Sequence, residues 1–410
     1  MRLLLLSLAA LSATVAGLLA GTPTQGAPPD RAWPLTIDSV SSPAGAESSA
    51  PQLTVEGDRV ILSWMERAGS SATLKFAERT ASGWSAPRVV ASGPDVLTNA
   101  ADVPSVRPLA DGTLIANWMQ ENGPDPESYD LRLVWSKDGG ATWSKPTSPH
   151  HDGTKTEHGF ASLFQAPGAG LGLVWLDGRT TDPDSPNATG NMSLRAAIYG
   201  RDGRQLREMV VDARVCDCCP TSVAITSDGP IVAFRNRSAK EVRDIYVSRF
   251  VAGRWTAPAA VHHDNWEIEA CPVNGPAVSA RGRDVIVAWF TAPKDEGRTF
   301  AALSHDAGRT FGSPIRVDDV AATGHVDVEL LKDGAAAVSW IEFTNGRSQF
   351  DVRRIETNGA RSAAVTIAGT AEGRVAGIPR IAAARDELVF AWTETANGAS
   401  HVRTARASLP

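Results

Sequence analysis

The chain has 410 residues, of which 42% are apolar and 21% are charged, a composition that excludes an intrinsically disordered protein. Forty basic side chains stand against 46 acidic ones, which gives a formal net charge of -6 at pH 7. Because binding to phosphate backbones needs an excess of positive charge, nucleic acid is not predicted as a partner.

The N-terminal segment predicts export. Arg2 precedes an apolar stretch that gives way to TPTQGAPPD, and this order is typical of a cleaved signal peptide. We predict a signal peptide at residues 1–27, cut between Ala20 and Ala27, a single domain over residues 28–410, and a secreted or periplasmic protein. After cleavage, no segment is long and apolar enough for a membrane span.

A short apolar run that ends in an aromatic residue recurs seven times along the rest of the chain. Such runs, rich in β-branched residues and bounded by turn residues, predict strands. Each follows a turn and a second apolar run that can pair with it as a hairpin. A third and a fourth strand come after each aromatic residue, so the unit is a four-stranded meander. The seven aromatic residues are Trp64, Trp118, Trp175, Phe234, Trp289, Trp340 and Trp392.

The last unit runs out after its third strand, and the segment AWPLTIDSV from Ala32 can supply the missing one. Meanders that cannot bury both faces alone stack radially into a propeller. We therefore predict an all-β fold, a β-propeller of seven four-stranded blades whose last blade is closed by the N-terminal strand.

Two predicted turns share an eight-residue pattern. SKDGGATW at Ser136–Trp143 fits Ser-x-Asp-x-Gly-x-Thr-Trp, and SHDAGRTF at Ser304–Phe311 fits it with Phe in the last position. The pattern resembles the Asp box, the bacterial neuraminidase repeat of the sialidase-like propellers. That resemblance implies a structural turn on the face away from an active site. It also implies a six-bladed alternative, because sialidases typically have six blades.

The same resemblance implies a sialidase-type glycoside hydrolase that acts on anionic glycans. Such an enzyme binds the substrate carboxylate with three arginines and uses a Tyr paired with a Glu as nucleophile and an Asp as acid. The chain departs from this pattern, since no Arg-Ile-Pro motif occurs near the start of the first complete blade. The candidates in this chain are Arg179, Arg235 and Arg237 for the anion, Tyr129 for the tyrosine, and Asp177, Glu342 and Glu394 for the acids.

All four cysteines precede the first strands of two neighbouring predicted blades, and a histidine precedes the first strand of the blade on either side. First strands of a propeller begin at one rim, so these side chains are expected to converge there. Thiolate and imidazole ligands suit copper or zinc. The predicted metal ligands are Cys216, Cys218, Cys219, Cys271, His158 and His325.

The cysteines have two other interpretations. Four cysteines in an exported protein commonly form two disulfides, and a Cys219–Cys271 bond would link adjacent blades. That pairing leaves Cys216 and Cys218, which are awkward to join across one residue. A nucleophilic or redox-active thiol is the remaining possibility.

Three functions therefore stay open. The central rim binds a transition metal, or the chain is a sialidase-type hydrolase, or it is a non-catalytic propeller that binds a glycan, a small ligand or a protein at the funnel on its top face. Calcium is not favoured, because the acidic loop that starts at Asp177 lacks the EF-hand spacing. No nucleotide cofactor is predicted.

Overall fold

Strands make up nearly all of the regular structure. The computed structural model describes residues 30–166, 168, 170–183 and 188–409, so the predicted signal peptide lies outside the described residues. Two single-turn 3-10 helices, Pro293–Asp295 and Gly373–Ala376, accompany the strands. In the described part of the chain, no helix has the length and apolar character needed to cross a membrane.

The strands follow one another as antiparallel meanders. An N-terminal strand, β1 (Asp38–Val40), comes first. Blade one contains β2 (Ser48–Glu56), β3 (Arg59–Ala68), β4 (Ser71–Glu78) and β5 (Arg88–Gly93). Blade two contains β6 (Ser105–Pro108), β7 (Leu114–Glu121) and β8 (Tyr129–Ser136). Blade three contains β9 (His158–Gln165), β10 (Leu171–Asp177), β11 (Ser193–Tyr199) and β12 (Gln205–Asp212).

The second half of the chain repeats this arrangement. Blade four contains β13 (Ser222–Thr226), β14 (Gly229–Arg235), β15 (Ile245–Val251), β16 (Arg254–Trp255) and β17 (Ala259–Ala260). Blade five contains β18 (Ala277–Arg281), β19 (Asp284–Thr291), β20 (Arg298–Ser304) and β21 (Ile315–Arg316). Blade six contains β22 (Ala322–Leu330), β23 (Ala336–Thr344), β24 (Arg347–Ile355) and β25 (Val365–Thr370). Blade seven contains β26 (Arg380–Ala384), β27 (Glu387–Ala396) and β28 (Ala399–Ser408).

The N-terminal strand closes the ring. β1 pairs antiparallel with β28, with Asp38 opposite Arg406, and completes the sheet of blade seven. Blade one then contacts blade seven through Ser48, whose hydroxyl accepts a 2.9 Å hydrogen bond from the backbone N–H of Val402. The predicted seven-bladed propeller and its closure are confirmed, and the six-bladed alternative is wrong.

Two blades depart from four regular strands. In blade two the fourth position is a single bridge between Leu133 and Thr147 rather than a strand. In blade four the fourth position is split, because β16 and β17 each pair with a different part of β15. The outermost position of the blade is therefore the least regular part of the fold in these two blades.

The second strand of each blade lies deepest. β10 is buried at all seven positions, because both of its faces pack against neighbouring blades. Innermost strands alternate instead, as in β22, where every second residue is buried. The seven innermost strands surround a central cavity of about 390 Å³.

Both Asp boxes form tight turns that satisfy their own polar groups. Asp138 accepts hydrogen bonds from the backbone N–H and the hydroxyl of Thr142, at 2.9 and 2.6 Å. Gly140 has φ +88°, and a Cβ there would overlap the ring of Phe76 in the preceding blade. Each turn lies at the opposite end of the strands from the upper rim, which we define as the rim where the innermost strands begin.

Candidate functional site

The three predicted anion-binding arginines do not converge. Arg179 binds Asp177 through two hydrogen bonds of 2.6 and 2.7 Å. Arg235 is 1% exposed and donates to three backbone carbonyls. Arg237 pairs with Glu241 at 2.9 Å. Each guanidinium therefore already has protein acceptors.

The three predicted acids also lie apart. Asp177 and Glu342 accept the indole N–H of the tryptophan two residues earlier, at 2.8 and 2.9 Å. Glu394 forms an ion pair with Arg403. In two of these three blades, the polar residue two positions after the key aromatic residue thus fixes the end of the second strand.

The cysteines meet at the upper rim, but not as one set of four thiols. Cys218 and Cys271 form a disulfide across 53 residues, which links blades four and five. The inter-blade bond was expected at Cys219, and the structure has Cys218 in that place. Cys216 and Cys219 are buried thiols whose Sγ atoms lie 2.9 Å apart. Cys216 Sγ is also 3.9 Å from Cys218 Sγ.

Charged neighbours make the two thiols unequal. Burial raises the pKa of Cys216, but its hydrogen bond with Cys219 and the positive charges of Arg235 and Arg243 outweigh burial and bring it to about 6. Burial and the adjacent Cys216 raise the pKa of Cys219 well above its ordinary value. At neutral pH, Cys216 is therefore the thiolate of the pair.

His158 belongs to a different cluster. Its Nε2 lies 3.3 Å from Asp152 Oδ2 and 3.8 Å from Asp177 Oδ2, and its ring stacks on His150 at 3.7 Å. One cation could reach these three donor atoms. Burial opposes a charge on His158, but the carboxylates raise its pKa. The imidazolium and Arg179 supply the positive charge that these carboxylates need.

A pocket of about 330 Å³ opens at the upper rim beside the disulfide. Tyr129, the first residue of β8, lies in it and is 4% exposed. Its hydroxyl donates to Glu157 Oε1 at 2.5 Å and lies 3.4 Å from Asp102 Oδ2. A parallel bridge between Tyr129 and Glu157 joins blades two and three at this point, which holds the phenol beside the carboxyl.

Burial sets the protonation of this group. Burial raises the pKa of Glu157 to about 8. The negative charges of Asp102 and Glu127 also raise this pKa, whereas the hydrogen bond from Tyr129 lowers it. Burial likewise raises the pKa of Asp102 to about 7. Burial and both carboxylates raise the pKa of Tyr129 well above 10. Near neutral pH the phenol keeps its proton, and Glu157 is poised between its two forms.

The backbone around the pocket is unusual. Phe160, Val273 and His325 line the pocket and have φ between +52° and +55°, a region that costs non-glycine residues free energy and concentrates at functional sites. Gly159 permits the close packing behind the phenol, because a Cβ there would overlap Asp102 and lie 2.9 Å from the Tyr129 ring.

His325 lies in this pocket rather than among the thiols. Burial lowers the pKa of His325 to about 4, so its imidazole is neutral. Its Nδ1 has no hydrogen-bond partner among the described residues. The predicted metal ligands are thus divided among three places: the Cys216 and Cys219 thiols, the His158 cluster, and the pocket that His325 lines together with Cys218 and Cys271.

Sequence reasoning identified Tyr129 and missed Glu157. Glu157 directly precedes His158, where the innermost strand of blade three begins, and residues that alternate along a strand face opposite ways. The sequence does place an acidic residue directly before this strand, and that position could have pointed to Glu157 as a partner of the rim tyrosine. Only the pairing of two blades shows that this residue meets the phenol.

Comparisons with known proteins reveal similarity in structure only. No protein-family model matches the sequence, and no curated protein matches it. A protein of unknown function from Dyadobacter fermentans is similar in structure, with a TM-score of 0.52, 14% identity, and coverage of 94% of this chain and 100% of that chain. The polysaccharide lyase Uly1 has a TM-score of 0.53 and 11% identity, and the match covers 88% of this chain and 90% of that chain.

The endosialidase of phage phi92 is similar as well. Its TM-score is 0.52 at 9% identity, and the match covers 92% of this chain and 69% of that chain. Identities this low establish a shared fold and leave the activity of this chain open. The shared fold is the β-propeller.

Proposed function

We propose that this protein is a glycoside hydrolase with Tyr129 as nucleophile and Glu157 as its general base. The observation that carries this proposal is the 2.5 Å hydrogen bond from the Tyr129 hydroxyl to Glu157, in a pocket open at the upper rim. A phenol is a weak nucleophile, and a base within hydrogen-bond reach is what activates it.

The proposed first step moves one proton and exchanges one bond. Glu157 takes the proton of Tyr129 as the phenol oxygen bonds to the anomeric carbon. The glycosidic C–O bond breaks, and the leaving oxygen takes a proton from water. A second water then attacks the anomeric carbon and gives its proton to the hydroxide left by the first step, while the bond to Tyr129 breaks and Glu157 returns its proton to the phenol oxygen.

The charges of the pocket favour a neutral sugar over an anionic one. Its described lining includes Glu127, Glu157 and Asp217 but no arginine or lysine. A carboxylate on the substrate would meet negative charge without a bidentate cation to bind it. We therefore propose a neutral glycan as substrate in place of the sialosides that the resemblance implied.

A panel of fluorogenic glycosides measured against pH tests this function. We expect turnover of at least one neutral glycoside and none of the sialosides. Because the ionised form of Glu157 is the base, log kcat/KM should rise with unit slope as the pH increases and level off above about pH 8, the pKa of that carboxyl. Turnover confined to sialosides, or a rate that falls between pH 6 and 8, would contradict the proposal.

A second proposal keeps the predicted copper or zinc site, restricted to the reduced protein. Cys216 Sγ lies 2.9 Å from Cys219 Sγ and 3.9 Å from Cys218 Sγ, and three thiolates suit either metal. Protein purified anaerobically with a reductant should retain copper or zinc in elemental analysis, whereas the Cys216→Ser/Cys219→Ser variant should not. Equal metal content in the two proteins would exclude this site.

Export also stays a proposal. The Cys218–Cys271 disulfide supports it, because such bonds persist in secreted and periplasmic proteins and are rare in the cytosol. A glycan reached outside the cytoplasm is then the partner expected at the upper rim.

A further inference from the structure

Three sulfur atoms lie within 4.8 Å of one another at the upper rim, next to the pocket that holds Tyr129 and Glu157. Cys216, Cys218 and Cys219 occupy one turn in which Cys216 and Cys219 have the spacing of a Cys-x-x-Cys motif. Cys216 Sγ lies 2.9 Å from Cys219 Sγ and 3.9 Å from Cys218 Sγ. The first distance is only about 1 Å longer than a disulfide bond of about 2.05 Å.

The two pairs differ in access to solvent. Cys216 and Cys219 are 1% and 2% exposed, so an external reagent cannot approach them. Cys271 is exposed, and its disulfide with Cys218 lines the pocket. An external thiol or disulfide would therefore react at the Cys218–Cys271 pair first.

The residues around Cys216 favour thiol–disulfide exchange. The Arg243 guanidinium donates to Cys216 Sγ at 3.3 Å, and a positive neighbour stabilises the thiolate that attacks a disulfide. Arg243 is held in turn by Glu241 at 3.0 Å and Asp217 at 3.2 Å. Cys216 is thus fixed next to the sulfur of Cys218 with its charge compensated.

We propose that Cys216 and Cys219 are a second redox pair that exchanges with the Cys218–Cys271 disulfide, so that this rim is a thiol–disulfide exchange centre for external thiols and disulfides. This inference is independent of the proposed hydrolase activity. In this proposal, Cys216 and Cys219 take part in a reaction and do not only pack in the hydrophobic core.

The exchange balances within the chain. The Cys216 thiolate attacks Cys218 Sγ, a Cys216–Cys218 bond forms, and Cys271 leaves as a thiolate. Cys219, once it has lost its proton, attacks Cys216 Sγ and releases Cys218. The pair Cys216/Cys219 is then oxidised and the pair Cys218/Cys271 reduced, with two electrons transferred; one released thiolate takes the proton of Cys219, and the other stays a thiolate or takes a proton from water. An external disulfide can then reoxidise Cys218 and Cys271.

The first test uses the wild-type protein. It is equilibrated in dithiothreitol redox buffers, quenched with acid, unfolded, treated with N-ethylmaleimide and digested with trypsin. We expect four alkylated thiols in the most reducing buffer and none in the most oxidising buffer. At intermediate potentials we expect two forms of the protein, each with one disulfide. One has Cys271 linked to the peptide of residues 215–235, and the other has an internal bond in that peptide with Cys271 alkylated.

Two double variants then separate the pairs. With Cys218→Ser/Cys271→Ser, oxidised dithiothreitol should leave Cys216 and Cys219 reduced in the folded protein over the time that oxidises all four wild-type cysteines, because the buried pair is reached only through Cys218 and Cys271. With Cys216→Ser/Cys219→Ser, only the inter-blade disulfide should form, in a single redox transition. Circular dichroism checks that each variant is folded, and the wild-type mapping decides the question if one is not.

Either of two results would overturn the inference. One is an excess of oxidised dithiothreitol that leaves two alkylatable thiols in the unfolded wild-type protein. The other is an intermediate state that contains only the Cys218–Cys271 bond.

Discussion

Replacing Tyr129 with Phe is expected to lower kcat/KM on the neutral glycoside by about 10²- to 10⁴-fold, the usual contribution of a positioned acid–base group. The change removes only the oxygen that donates to Glu157 at 2.5 Å and retains the ring that packs in the rim. Glu157→Gln should lose a similar factor, since the amide cannot take the proton. Both are measured by steady-state kinetics on purified protein.

Tyr199→Phe is the matched control for this prediction. Tyr199 is 2% exposed and lies at the end of β11, outside the described lining of the pocket. Its loss should leave kcat/KM within about twofold of wild type. If both variants retained full activity, the pocket would not be the catalytic site and Tyr129 would have only a packing role.

Replacing Arg235 with Met is expected to lower the free energy of unfolding by about 3 to 5 kcal/mol. The guanidinium donates to the backbone carbonyls of Asn274, Arg243 and Phe290 at 2.9, 2.6 and 2.7 Å. Its loss would leave three buried acceptors unpaired at the junction of blades four and five. The guanidinium also lies 5.0 Å from the ring of Trp266, a cation–π contact.

Urea unfolding followed by tryptophan fluorescence measures this loss, with Arg237→Met as the matched control. Arg237 is two residues away, its side chain is 23% exposed, and it forms an ion pair with Glu241, so its loss should cost less than about 1 kcal/mol. Similar unfolding midpoints for the two variants would contradict the structural role of Arg235. Loss of glycan binding without loss of stability in Arg235→Met would instead restore its predicted role in binding substrate.

Arg235 and Arg237 show that the sequence alone does not predict which residue near the rim is buried. Arg235 is the last residue of β14 and Arg237 follows two positions later. The two have the same side chain, so the sequence pattern assigned both to substrate binding. The alternation along a strand puts them on one side, yet only Arg235 reaches the carbonyls of the next blade. Which guanidinium is buried depends on contacts between residues 39 and 55 positions apart, which no local pattern encodes.

The acids differ for the same reason. The sequence places a polar residue after each key aromatic residue, and in three blades that residue accepts the indole N–H at 2.8 to 2.9 Å. The repeat therefore encodes a way of ending the second strand. The pair of Tyr129 and Glu157 is not repeated, because each blade supplies one member and the two meet only where blades two and three adjoin.

The sequence by itself determined the all-β class, the seven units, the closure by the N-terminal strand and the Asp-box turns. These depend on alternation, turn residues and short-range hydrogen bonds, which act over one strand or hairpin. It also placed the cysteines at one rim. Only the tertiary structure decided that Cys218 pairs with Cys271, that His158 and His325 separate, and that Glu157 lies against Tyr129. Those outcomes depend on how side chains of adjacent blades pack. The residues involved are remote in sequence, so the distances between them are set only when the whole ring closes.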